Sequence, residues 1–184
     1  MLMKCDDFFY PVQHCLGCPV AQYLISSGIG YLTLMDSDTV ELSNLSRQPL
    51  YSEKDIGKFK VDVAKEKLVQ INPNAVINVF SNELNNENAL EMVSSVDFVI
   101  DCTDNVESRY IMSDICMSSE KPLIHGGIRT FEGNVGVFLP GSGYYRSMYP
   151  NPPNPESIED CSTTGVLSSF VGWVGMHQSL LAIQ

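Results

Sequence analysis

Asp36 directly follows the apolar run Tyr31–Met35, about 20 residues beyond Gly17. A nucleotide-binding sheet carries at this place the acid that takes ribose hydroxyls. Within Asp36-Ser37-Asp38 the same residue would also serve as a turn-forming acid at a strand end. Next comes the polar run Ser43-Asn44-Leu45-Ser46-Arg47-Gln48, with two neutral amides and one guanidinium. Arg47 suits bidentate contact with phosphate, and Lys60 would supply a second cation to clamp a triphosphate. Lys60 also reads as part of a solvated helix face with Lys58, Lys65 and Lys67. Asp104, in Asp101-Cys102-Thr103-Asp104-Asn105, offers hard oxygens suited to Mg²⁺ at a phosphate. Its other reading is the N-cap of a helix opening near Asn105. Cys161 lies in a polar stretch just ahead of a helix, where a lowered thiol pKa makes a better nucleophile. An incidental loop cysteine is the alternative. Cys15-Leu16-Gly17-Cys18 is formally a C-x-x-C pair, with no second pair and no histidine at ligand spacing to make it a zinc site.

The elements that must position these residues follow from periodicity and punctuation. Helices are predicted over Val20–Ser26, Asp55–Ile71, Asn86–Val93, Asn105–Met117 and Val166–Ile183, from apolar residues recurring at spacings of three and four. Glycine at Gly28 and Gly30 and the Asn72-Pro73 step end the first two. Strands are predicted over Tyr31–Met35, Val76–Phe80, Phe98–Ile100, Pro122–Ile124 and Gly133–Leu139. Residues 140–160, with five prolines, read as loop. Strands alternating with helices specify an α/β fold, a doubly wound and mostly parallel sheet that binds ligands at the carboxyl ends of its strands. No linker, repeat or low-complexity run divides residues 1–184, so a single domain is expected.

Composition narrows the function. The chain has 184 residues, 44% apolar and 18% charged, in the size range of one core-forming domain. The 22 acidic against 11 basic residues give a net charge of −11, which argues against nucleic acid and anionic membrane surfaces as partners. No apolar stretch approaches the roughly 20 residues of a bilayer span, and residues 1–15 lack the apolar core of a signal peptide. Six scattered cysteines are cytoplasmic usage, not a disulfide framework.

Three stretches together are recognisable. GIGYLTLMDSDTVELSNLSRQPLYSEKDIGKFKVDVAKEKLVQINPN, then DFVIDCTDN with Arg109, then YPNPPNPESIEDCSTTGV, resemble the MoeB/ThiF family of the ubiquitin-activating-enzyme-like superfamily. The likeness runs from about Leu16 onward. It is greatest to the eukaryotic adenylyltransferase and sulfurtransferase branch, which serves molybdenum cofactor synthesis and tRNA thiolation. The resemblance implies a Rossmann-like sheet that binds ATP and Mg²⁺. It also implies adenylation of the C-terminal glycine of a ubiquitin-like sulfur-carrier protein; a homodimer is one candidate assembly, and the oligomeric state stays open. By position, Asp36 matches the ribose-binding acid. Ser43, Asn44, Arg47 and Lys60 match the polar residues around the phosphates. Asp104 matches the Mg²⁺-associated acid, with Asn105 beside it, and Cys161 matches the cysteine that captures the activated carboxyl.

The sequence also departs from the family. The glycine-rich loop of family members aligns with Val12-Gln13-His14-Cys15-Leu16-Gly17, in which only Gly17 remains. Weak ATP binding is therefore expected, because glycines let backbone amides approach phosphates closely. Cys5–Pro11 reads as a poor central strand, since Pro11 has no amide to donate. Tyr144-Tyr145-Arg146-Ser147 stands where the family carries half of a zinc site, so no structural zinc is expected. Two readings remain open: an impaired adenylyltransferase, and an inactive pseudo-activating subunit that only binds a partner.

Overall fold

The computed structural model describes residues 7–11, 15–153 and 165–184. Strands β1 (Asp7–Pro11), β2 (Tyr31–Met35), β3 (Val76–Phe80), β4 (Phe98–Asp101), β5 (Leu123–Arg129) and β6 (Glu132–Phe138) form one sheet. Its order is β3-β2-β1-β4-β5-β6. Strands β1 to β5 are parallel, and β6 returns antiparallel to β5. The chain runs outward from β1 in one direction and resumes at β4 in the other. The switch point of this doubly wound sheet therefore lies between β1 and β4.

Both faces of the sheet are covered, and the strands alternate between two cores. Leu32, Leu34, Ile100 and Ile124 pack with α1 (Gly17–Ser26), α2 (Lys60–Ile71) and the last helix, here α6 (Ser168–Ile183). Met35, Val99 and Leu123 pack on the other side with α3 (Ala89–Ser94) and α4 (Val106–Ser118). A strand buried on both faces reads as a continuous apolar run, which is why Tyr31–Met35 and Phe98–Ile100 stand out in the sequence.

Several sequence expectations need correction. The segment Cys5–Pro11 does supply a central strand, because Asp7–Pro11 pairs with β2 along its whole length. Pairing with β4 stops at Phe8 and Phe9, so Pro11 falls on the last rung, past the ladder its missing amide would interrupt. Helix α1 starts at Gly17 rather than Val20; a proline within the first turn, here Pro19, loses no intrahelical bond. Helix α2 starts at Lys60 rather than Asp55. Glu53–Asp55 is a separate 3-10 turn, and Gly57, at φ +84°, redirects the chain. Inside the expected loop, Tyr145–Met148 forms a short helix, α5.

Cys15, Cys18, Cys102 and Cys116 are all buried. Burial pushes Cys18 and Cys116 up to about 12. Cys18 is thus a protonated core residue in the first turn of α1. Cys15 also lies in the core, so its bulk fills interior volume.

Candidate active site at the carboxyl edge of the sheet

Asp36 directly follows β2 and is fully buried, with Asp38 N–H donating to its Oδ1 at 2.8 Å. Its Oδ2 has no hydrogen-bond partner among the described residues. A buried, unpartnered carboxylate oxygen is costly, and native proteins keep such groups where a ligand will complete them. Burial pushes the Asp36 carboxyl up to about 7, against the opposing pull of Lys60, and the charges of Asp38 and Asp104 add to the rise. The folded chain holds this proton across a range where the unfolded chain, near 3.8, has released it. Stability from Asp36 therefore falls as pH rises from about 4 to about 7, and the penalty is complete above that. Asp36→Asn is expected to raise the thermal midpoint at pH 8 and to leave it unchanged at pH 4. Calorimetry at the two pH values checks this, and an equal shift at both would refute it.

Lys60 is buried, not on a solvated face. The segment before it pairs with residues 38–40: Gly57 N–H donates to Val40 O, Val40 N–H to Lys58 O, and Lys60 N–H to Asp38 O, each at 2.9 Å. This fixes the first residue of α2 against the turn after β2. The Lys60 ammonium then meets Asp38 Oδ2 at 2.7 Å. Ser37, Asp38, Thr39, Glu41, Asn44 and Lys60 line a cavity of about 310 Å³. Asn44 is buried and accepts from Glu41 N–H at 3.1 Å.

The other expected residues fall as follows. Asp104 is exposed just past β4, near enough for its charge to act on Asp36. Asn105, not Asp104, is the cap of α4, accepting from Ser108 N–H at 2.7 Å, which leaves the Asp104 carboxylate out of that role. Arg47 does not line the cavity. Its guanidinium folds back on its own turn and donates to the Ser43 carbonyl at 2.8 Å, while the Ser43 hydroxyl donates to Glu41. Gly17 is the buried first residue of α1. The expectations for Cys161 and for Val12–His14 lie outside the described residues.

Sequence reasoning missed two features. Gln48 is buried with its Oε1 unpartnered among the described residues, a second open acceptor on the loop after β2. Asp101 at the end of β4, His125 beside it within β5 and Arg109 on α4 form a largely buried cluster. Burial works against its charge, but Arg109 and His125 outweigh this and hold the Asp101 carboxyl down at about 2. In the sequence each of the two sits just past an apolar run, Phe98–Ile100 and Pro122–Ile124, but the register that pairs Asp101 with His125 is a feature of the fold. Tyr144 and Tyr145 pack as buried rings, and Arg146 pairs with Asp114. No group of three or more His, Cys, Asp or Glu gathers as metal ligands among the described residues. No helix there is long and apolar enough to cross a membrane.

The doubly wound, mostly parallel sheet is a Rossmann-like α/β domain, with a buried acid after β2 and a buried lysine near it at the carboxyl edge. The chain belongs to the ThiF family, which matches residues 15–184. It is 43% identical over 170 residues to the adenylyltransferase and sulfurtransferase MOCS3 of Drosophila yakuba, covering 92% of this chain and 38% of that one. Identity to MOCS3 of Culex quinquefasciatus is 39%, covering 92% and 39%. The chain thus spans less than two-fifths of the length of these relatives. Among solved structures it is similar to E. coli MccB with ATP, at a TM-score of 0.83 and 22% identity over 97% of this chain and 55% of that one. PaaA is also similar, at 0.78 and 24% over 96% and 55%. These likenesses to structures are of fold.

Proposed function

We propose that this chain is the adenylating domain of an ATP-dependent enzyme that activates the C-terminal glycine of a ubiquitin-like sulfur-carrier protein. The carrying observation is Asp36, whose buried Oδ2 lacks a donor among the described residues. The ribose hydroxyl of a nucleotide supplies that donor and favours the ionised carboxylate, so binding releases a proton between pH 6 and 7, within reach of the Asp36 value of about 7. Lys60 neutralises phosphate charge, and Asn44 and Gln48 offer neutral contacts on the same loop. Asp104 would hold Mg²⁺ together with the nucleotide's own phosphates, since this ion takes one or two carboxylates and keeps its other sites for phosphate and water. The carrier carboxylate then attacks the α-phosphate in line and pyrophosphate leaves; the Cys161 thiol, losing its proton, attacks the acyl carbon of the acyl-adenylate, a thioester forms and AMP leaves. The rate comes from positioning and charge neutralisation.

A second reading, an inactive pseudo-activating subunit, is favoured by one observation. Val12-Gln13-His14 stands where close phosphate approach needs glycine, and this reading keeps the partner but not the chemistry. Calorimetric titration with ATP and with NAD, in two buffers of different ionisation enthalpy, separates the readings. ATP binding with proton release supports the enzyme, no nucleotide binding supports the pseudo-subunit, and preference for NAD overturns both. With carrier present, Cys161→Ser is expected to keep pyrophosphate exchange and lose the covalent adduct. Loss of both would assign Cys161 a structural role.

A further inference from the structure

Thr103, the residue that leads into Asp104, is held at its amide, its hydroxyl and its carbonyl. Asp101 is fully buried, and its Oδ1 accepts from Thr103 N–H at 2.9 Å and from the Thr103 hydroxyl at 2.7 Å. Its Oδ2 accepts from Arg109 Nε at 3.2 Å and lies 2.7 Å from His125 Nδ1. Arg109 Nη2 donates to the Thr103 carbonyl at 2.6 Å. That carbonyl belongs to the same peptide plane as the Asp104 N–H, so the guanidinium fixes the orientation in which the chain enters Asp104. Behind Asp101, Gln178 Nε2 on α6 donates to the Asp101 carbonyl at 2.7 Å. Beyond Asp104, the Asn105 cap fixes the chain again. His125 Nε2 lies 3.0 Å from Asn134 Oδ1, tying β6 to the cluster. The Tyr145 ring lies 5.9 Å from the Arg109 guanidinium carbon.

From this geometry we infer that Arg109 is a positioning residue, which aims the Asp104 carboxylate through the Thr103–Asp104 peptide, with Asp101 and His125 holding Arg109 in place. Arg109 touches neither nucleotide nor carrier in this role. A fork is needed because two acceptors, the Asp101 carboxylate and the Thr103 carbonyl, must be held at once by one planar group. A lysine ammonium in the same place keeps the charge opposite Asp101 but cannot span both in that geometry. The functional part of the inference rests on the adenylation reading, in which Asp104 works at the phosphates. The structural part does not.

The test uses Arg109→Lys, which keeps the buried ion pair, and Arg109→Ala. Two measurements are made on each: amide hydrogen exchange across residues 101–106, and carrier-dependent pyrophosphate exchange as a function of Mg²⁺. In Arg109→Lys, exchange of the 103–106 amides is expected to quicken at least tenfold, with the β2 and β5 amides unchanged. The Mg²⁺ concentration for half-maximal rate is expected to rise roughly 10- to 100-fold, the range typical of residues that orient metal ligands, with KM for ATP at saturating Mg²⁺ unchanged. Asp104→Ala combined with Arg109→Lys is expected to be no slower than Asp104→Ala alone. Unchanged local exchange in Arg109→Lys overturns the inference, as does multiplication of the two rate losses, which would mean that Arg109 acts independently of Asp104. If Arg109→Ala unfolds while Arg109→Lys behaves like the wild type in both measurements, the cluster is a stability element only and the inference fails. A wild-type chain with no exchange activity rejects the adenylation reading, and the amide measurement then decides the positioning claim alone.

Discussion

Replacing Lys60 with methionine is expected to lower carrier-dependent pyrophosphate exchange by about two to three orders of magnitude while the chain stays folded. The magnitude is that of removing one preorganised charge from the place where charge develops. Lys60 is 3% exposed, and its ammonium is the positive charge in a cavity otherwise lined by neutral groups and the acids Asp38 and Glu41. Without it, Asp36, Asp38 and Asp104 would face an incoming triphosphate uncompensated. Methionine keeps the length of the stem and its packing. Asp38, whose side chain is 57% exposed, is left to water rather than stranded, so the cost to folding is small. Exchange assays alongside circular dichroism check the result. Loss of activity below tenfold in a folded variant would remove Lys60 from the phosphate site.

Gly175→Ala is expected to destabilise the chain by about 2–3 kcal/mol, and Gly172→Ala, one turn earlier on the same helix, to leave it unchanged or slightly more stable. A Cβ at Gly175 would lie 2.5 Å from Pro19 Cγ, 3.1 Å from Pro19 Cβ and 3.2 Å from the Leu16 carbonyl oxygen. These are a ring and a backbone atom at the start of α1, neither of which can swing aside, so α1 and α6 would have to separate. At Gly172 a Cβ meets nothing within 4 Å, and alanine gains helix propensity there. For a chain of this size each kcal/mol moves the thermal midpoint by about 2–4 °C. Gly175→Ala should therefore melt roughly 4–12 °C lower. Equal midpoints for the two variants would show that the α1–α6 contact is not close-packed.

What was legible in the sequence was local. An apolar run ending in an acid marks both Asp36 and Asp101, because a strand buried on two faces tolerates polarity only at its end. Lys60 was ambiguous because four lysines share its stretch. Which one is buried depends on the pairing of residues 57–60 with 38–40, a contact that periodicity cannot express. Pro11 misled for a related reason: its cost depends on which rung it occupies, and the register with β2 and β4 puts it on the last. The Asp101–Arg109–His125 cluster needs three elements brought together, so only the parallel register reveals it.

The four buried thiols also make the molecule its own recorder of breathing. Cys15 and Cys18 mark the start of α1, Cys102 the end of β4 and Cys116 the last turn of α4. A thiol-reactive dye reaches each one only when its surroundings open, and labelling rates follow the free energy of that opening when reclosing is fast. Read one cysteine at a time by mass spectrometry, the rates compare the motions of the helix behind the sheet's switch point with those of the strand end that carries Asp104. Addition of ATP then shows which of the two it quiets.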